Sequence, residues 1–240
     1  PSASTLSRTL ASVDSATADK LVGVVESIPI QRLQELNLER VTIDFDGSIT
    51  TTNGHAEGTA VGFNPKKKGQ RSYYPLFATI AQLDQVLSVL HRSGNVHDSH
   101  NAGDFMEHAV KLVRKALPDT LIEVRADSAF YSNEIIERLE DLGVEFTISV
   151  PFERYANLKG IVESRKRWRH IDTNFSGFER QWKADCWEKK RRFLFVKKKT
   201  KKQRKGPIQL DLFIPHQEGY EFTAVVTNKI ETIAPTVLYH

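Results

Sequence analysis

At Val41 the sequence changes its period, and that change constrains the fold more than any other feature. Residues 1–40 read as a helical flank. In SATADKLVGVVESI the apolar Leu21, Val22, Val24 and Val25 gather on one side, behind Ser and Thr positions suited to capping, and IQRLQEL continues as a short second helix. From Val41, VTIDFDGSIT alternates Val41, Ile43 and Phe45 with Thr42, Asp44 and Asp46, the mark of a half-buried strand. HAEGTAVGFN and RSYYPLFATIAQ follow as two further strands around the basic turn NPKKKGQR, giving a three-stranded antiparallel meander.

Helices then enter. DFMEHAVKLVRKALP carries Phe105, Ala109, Leu112, Val113 and Ala116 at helical spacing and stops at Pro118. TLIEVRAD is a fourth strand, SNEIIERLEDLG a helix capped by Ser132 or Asn133 and ended by Gly143, and VEFTISVP a fifth strand. The order β-β-β-α-β-α-β predicts an α/β fold over residues 41–151, with strands separated by helices lying parallel. After Pro151 the texture shifts. Residues 152–222 hold all three Trp and short β-like runs, among them FSGFERQWKADCW, RRFLFVKKK and IQLDLFIP, which predicts an inserted β-rich subdomain. Residues 223–240 return to the main body.

Composition bears on partners and compartment. The chain of 240 residues carries 34 Lys and Arg against 30 Asp and Glu, a net +4. No apolar run approaches the roughly 18 residues of a membrane span, and PSASTLSRTL lacks the basic start and apolar core of a signal peptide. The one cysteine, Cys186, permits no intrachain disulfide and fits a reducing compartment. The chain begins with Pro1, and its only methionine is Met106, so it reads as a piece of a longer protein.

Two acids stand out. Asp46 ends the first strand and Asp127 ends the fourth. If these strands are parallel neighbours, both carboxylates reach the same sheet edge, the place where open α/β sheets bind ligands. Two carboxylates that close repel, and a cation between them offsets the cost. Oxygen donors without Cys or His favour Mg²⁺ or Mn²⁺ over zinc, and such ions are the usual apparatus of phosphoryl transfer. A strand-end aspartate is also an ordinary solvated or capping group, and composition alone does not separate the two readings.

TIDFDGSIT, NGHAEGTAVGFNPKKKGQRSYYPL, RSGN and RADSAFYS, in that order, resemble bacterial insertion-sequence transposases of the Asp-Asp-Glu type. The resemblance implies a ribonuclease H-like mixed sheet with a β-rich insertion before the last catalytic helix. It implies DNA nicking and strand transfer at transposon ends, Mg²⁺ or Mn²⁺ as cofactor, and transposon-end and target DNA as partners. It also implies a homodimer in the synaptic complex and a bacterial, cytoplasmic, nucleoid-associated setting. Asp46, in Asp46-Gly47-Ser48, matches the first metal ligand, with Asp44 as its rival; Asp127 matches the second. The third is a helical Glu in a motif that begins with Tyr. Tyr239 matches that Tyr, which puts the Glu past His240.

From Lys189 to Lys205 there are eleven Lys or Arg and no acid. A solvated loop explains such a run; with the resemblance, Lys197, Lys198, Lys199, Lys201 and Lys202 become candidates for DNA backbone contact. Lys66, Lys67, Lys68 and Arg71 form a smaller patch on the second turn, between the second and third strands. Trp168, Trp182 and Trp187 suit a β core better than base stacking. The eight His show no metal-ligand spacing. Two rivals remain. Asp44-Phe45-Asp46-Gly47-Ser48 is similar to the signature of haloacid dehalogenase-type phosphatases, with Asp44 as nucleophile and Asp46 as general acid, although a basic meander follows where that family expects a helix. A transposase remnant that binds DNA without cutting is the other. With the Glu expected past His240, the 240-residue chain should not nick DNA in Mg²⁺ or Mn²⁺; turnover that Asp127→Ala abolishes would contradict this.

Overall fold

Two capping side chains start the helical flank. Ser2 Oγ accepts the Thr5 N–H at 3.2 Å ahead of helix α1, Ala3–Ala11, and Asp14 Oδ1 accepts the Thr17 N–H at 2.8 Å ahead of α2, Ser15–Leu36. The two segments expected as separate helices, SATADKLVGVVESI and IQRLQEL, are one helix that runs through Pro29. Proline inside a helix forfeits one backbone bond. Packing outweighs that loss, because Glu26, Pro29 and Leu33 are all buried. Glu26 Oε1 accepts the Ser88 hydroxyl at 2.6 Å and lies 2.9 Å from His108 Nε2.

The computed structural model describes residues 2–62, 64–96, 100–200, 212 and 214–230. Two units divide the chain: Pro1–Val96 with His108–Thr120, and His97–Glu107 with Leu121–His240. In the first unit, β1 (Arg40–Gly47) is followed by β2 (Thr50–Thr51), β3 (Ala60–Val61), β4 (Arg71–Tyr73), β5 (Leu76–Ile80) and β6 (Gln85–Leu90). β5 lies between β1 and β6, antiparallel to both, while β2, β4 and β3 form a small sheet of their own.

A meander is therefore present, but in other strands than the sequence suggested. HAEGTAVGFN supplies only the two residues of β3. RSYYPLFATIAQ breaks into β4 and β5 at Tyr74–Pro75, where proline has no N–H to give a ladder. The third strand is β6, whose QVLSVL buries the adjacent pair Leu87 and Ser88 and so never shows a period of two.

Helix α3, Ala102–Ala116, follows, its first turns in the second unit and its remainder in the first. β7 (Leu121–Ala126) pairs in parallel with β8 (Glu145–Ser149), and α4 (Asn133–Asp141) connects them. Ser132 caps α4 through the Ile135 N–H, and Gly143 ends it at φ 61°. α5 (Ala156–Glu163), β9 (Arg169–His170), β10 (Phe175–Trp182), β11 (Arg191–Lys199) and β12 (Tyr220–Thr227) complete the unit. β8 pairs with β12, β12 with β11, β11 with β10 and β10 with β9, all antiparallel. This is a mixed sheet of parallel and antiparallel strands in an α/β chain. Residues 152–222 supply α5 and β9–β11, and these strands continue the β7–β8 sheet through β12. Much of IQLDLFIP falls outside the described residues.

Polar bonds fasten this sheet below its last strand. The Thr227 hydroxyl donates to the Phe146 carbonyl at 2.6 Å. Asn228 copies a backbone pair, accepting the Phe146 N–H at 2.9 Å and donating to the Val144 carbonyl at 2.8 Å. Lys229 Nζ meets Glu123 Oε1 on β7 at 2.9 Å, with side chains only 4% and 7% exposed. Among the described residues no helix is long and apolar enough to cross a membrane. Removing one partner of a buried pair leaves a buried charge uncompensated. Lys229→Met should therefore cost about 3 kcal/mol in denaturant unfolding, and Glu123→Leu with Lys229→Met clearly less.

Candidate metal centre

The two candidate ligands end strands with the same burial profile. Along β1, Val41, Thr42 and Ile43 are buried, Asp44 is half-buried, Phe45 is buried and Asp46 is exposed. Along β7, Ile122, Glu123 and Val124 are buried, Arg125 is half-buried, Ala126 is buried and Asp127 is exposed. Each acid is the first residue past a buried stretch, which is where a carboxylate keeps its solvation while standing on rigid backbone. Asp44 lies one pleat earlier, opposite Thr79 of β5, and Asp46 lies opposite Phe77.

The local backbone treats the two acids differently. Asp127 Oδ1 accepts the Ala129 N–H at 2.9 Å and caps the single 3₁₀ turn Ser128–Phe130. That turn drives Phe130 and Tyr131 into the core, and Arg154 Nη1 donates to the Tyr131 carbonyl at 2.6 Å. Burial holds the Tyr131 hydroxyl well above the ordinary tyrosine range. After Asp46 comes Gly47, and a Cβ there would lie 2.5 Å from the Tyr74 hydroxyl oxygen. Only glycine fits. The sequence reading took Asp46-Gly47-Ser48 as a motif and missed this steric reason, which a lone glycine does not advertise.

The donors are carboxylate oxygens, suited to a hard divalent cation such as Mg²⁺ or Mn²⁺ rather than to zinc. Among the described residues no three His, Cys, Asp or Glu side chains gather where they could hold a metal ion. Tyr239 lies outside the described residues.

The basic candidates differ in freedom. Lys66, Lys67 and Lys68 are exposed on a turn built by Asn64, whose Oδ1 accepts the N–H groups of Lys66 at 3.2 Å and Lys67 at 3.0 Å. Arg71 is engaged within the small sheet: Nε donates to Thr59 Oγ1 at 2.9 Å, and Nη2 to the Thr59 carbonyl. Lys197 places Nζ 4.9 Å from the Trp168 ring centroid and 4.8 Å from that of Tyr220. Lys198 and Lys199 are exposed beside a groove of about 530 Å³ that Asn174, Thr200, Gly219 and Tyr220 also line. Lys201 and Lys202 lie outside the described residues.

Part of the basic run is structural. Arg191, 4% exposed at its side chain, forks onto Glu140 at 2.7 and 3.1 Å, reaches Asn133 Oδ1 at 2.8 Å and stacks 5.0 Å from the Trp187 centroid. Trp182 and Trp187 are buried, as a β core requires, and Trp168 packs edge-on to Phe178 at 4.9 Å.

An α/β chain with a mixed sheet, exposed aspartates at strand ends and an exposed basic turn is thus what the residues build. Over residues 1–238 the sequence matches the family described as transposase DDE domain group 1, and the chain belongs to that family. A solved structure similar to it is the cryo-EM structure of the piggyBac transposase synaptic complex with hairpin DNA, at 11% identity and a TM-score of 0.48. That likeness covers 92% of this chain and 42% of the other, so the chain spans less than half of that relative's length. No curated protein matches the sequence.

Because Arg71 is bonded inside the sheet and the three lysines are not, the patch should separate by mutation. Arg71→Ala should lower stability by about 1 kcal/mol. Replacing Lys66, Lys67 and Lys68 together by Gln should leave the melting temperature unchanged, while lowering DNA affinity and flattening its salt dependence.

Proposed function

We propose that this chain carries the catalytic core of a DNA transposase, with a ribonuclease H-like sheet whose Asp46 and Asp127 together hold divalent cations, Mg²⁺ or Mn²⁺. The observation that carries the reading is the shared burial profile of β1 and β7, each with an exposed aspartate at its C-terminal end, Asp46 one residue before the last of β1 and Asp127 one past β7, in a chain that belongs to the transposase DDE domain group 1 family. Such cations, when bound, supply the Lewis acidity for phosphodiester hydrolysis at a transposon end and for the strand transfer that follows.

The chain's own residues supply position. β1 and β7 hold the two carboxylates on backbone that is buried up to the preceding residue, so little ordering is left to be done at the moment of reaction. Asp127 Oδ1 accepts the Ala129 N–H, which orients the carboxylate at the head of the 3₁₀ turn. Asp44, half-buried and opposite Thr79, is the weaker candidate for the first ligand. A Glu expected past His240 completes the set. Exposed Lys66, Lys67, Lys68, Lys198 and Lys199 contact the phosphates of transposon-end or target DNA, and a second copy joins in the synaptic complex. We place the protein in the bacterial cytoplasm, at the nucleoid. Family membership favours this reading over the phosphatase, which needs Asp44 as nucleophile.

Calorimetric titration with Mn²⁺ tests the pairing. Asp46→Asn and Asp127→Asn should each abolish saturable binding, and Asp44→Asn should leave it. Binding that survives either of the first two substitutions would refute a shared site.

A further inference from the structure

The residue after Asp46 is fixed by a side chain that the catalytic reading does not use. A Cβ built on Gly47 would stand 2.5 Å from Tyr74 Oη, 2.7 Å from Cζ and 2.9 Å from Cε2. The phenol therefore fills the volume that any other residue at position 47 would claim.

Tyr74 is itself clamped. Its N–H donates to the Arg92 carbonyl at 2.8 Å, and Arg92 Nε donates to the Tyr74 carbonyl at 3.0 Å. The guanidinium carbon lies 5.0 Å from the ring centroid, and Arg92 is only 5% exposed. A buried guanidinium is costly to place. Here it grips the tyrosine by backbone and ring together. On the other side, the Ser48 N–H donates to the Pro75 carbonyl at 3.1 Å, and Gly47 lies in register with Leu76. The Gly47–Ser48 peptide is thereby tied to β5, with the Tyr74 ring beside Gly47.

We propose that Tyr74, gripped by Arg92, is a positioning residue for the Asp46 carboxylate. The proposal rests on Asp46 being a cation ligand. With the ring packed beside Gly47, the backbone after Asp46 has less room to turn on that side, which narrows the directions in which the carboxylate is presented. Partners that orient a metal ligand typically affect metal affinity by about 10- to 100-fold.

Mn²⁺ binding to the 240-residue chain, followed by electron paramagnetic resonance with the melting temperature measured in parallel, tests this. Tyr74→Ala should weaken Mn²⁺ affinity about tenfold in protein that remains folded. Tyr74→Phe, which keeps the ring, should restore it to within about twofold of wild type. Should Tyr74→Ala fail to fold, Arg92→Lys decides: it keeps the charge, loses the Nε bond, and should weaken Mn²⁺ in the same direction. Wild-type affinity in the folded one of these two variants, beside lost affinity in Asp46→Asn, overturns the positioning role alone. Unchanged affinity in Asp46→Asn overturns the cation reading, and the positioning role with it.

Discussion

Each candidate aspartate is exposed because the strand beneath it is not. Val41, Thr42, Ile43 and Phe45 are buried before Asp46, and Ile122, Glu123, Val124 and Ala126 before Asp127. A strand packed on both faces has one permitted register, since a one-residue slip would send every side chain to the other face. Each buried Val, Ile or Phe contributes about 1.5–3 kcal/mol to holding that register. Hydrophobic burial of the strands thus fixes the backbone that carries each of the two carboxylates. The turn that Asp127 caps and the phenol that covers Gly47 refine an aim already set by the strands.

The second unit turns a short parallel pair into a broad mixed sheet. β8 is its pivot, parallel to β7 on one edge and antiparallel to β12 on the other. Asn228 extends the second pairing past the end of β12, and the Lys229–Glu123 pair ties the chain after β12 to β7 itself. Arg191 does the same for β11, bonding to Glu140 and Asn133 of α4. The strongly basic segment thus has an inward part that stabilises the sheet and an outward part, Lys198 and Lys199, left at the surface.

Much of this was legible in the sequence, for reasons that can be named. β1, β7, β8, α3 and α4 carry clean sequence periods of two or 3.6, and α4 has a Ser132 cap, so local pattern and tertiary packing agree. β6 was not legible, because the apolar letters of QVLSVL do not alternate with polar ones, and Ser88 is buried there to bond Glu26 from α2. The continuity of α2 through Pro29 was hidden too, since packing overrode a residue that ordinarily ends a helix. At the site, strand-end acids are visible as letters, but Tyr74 over Gly47 is a contact across 27 residues that no spacing rule encodes. The count of eleven basic residues does not separate their roles: burial with a carboxylate partner makes Arg191 structural.

The account stands on Asp46 and Asp127 sharing a cation. Anomalous diffraction from crystals of the chain grown in Mn²⁺ addresses this most directly. The account predicts a manganese peak coordinated by an oxygen of each, at about 2.0–2.3 Å. Manganese bound to only one of the two aspartates, or to Asp44 in place of Asp46, would contradict it.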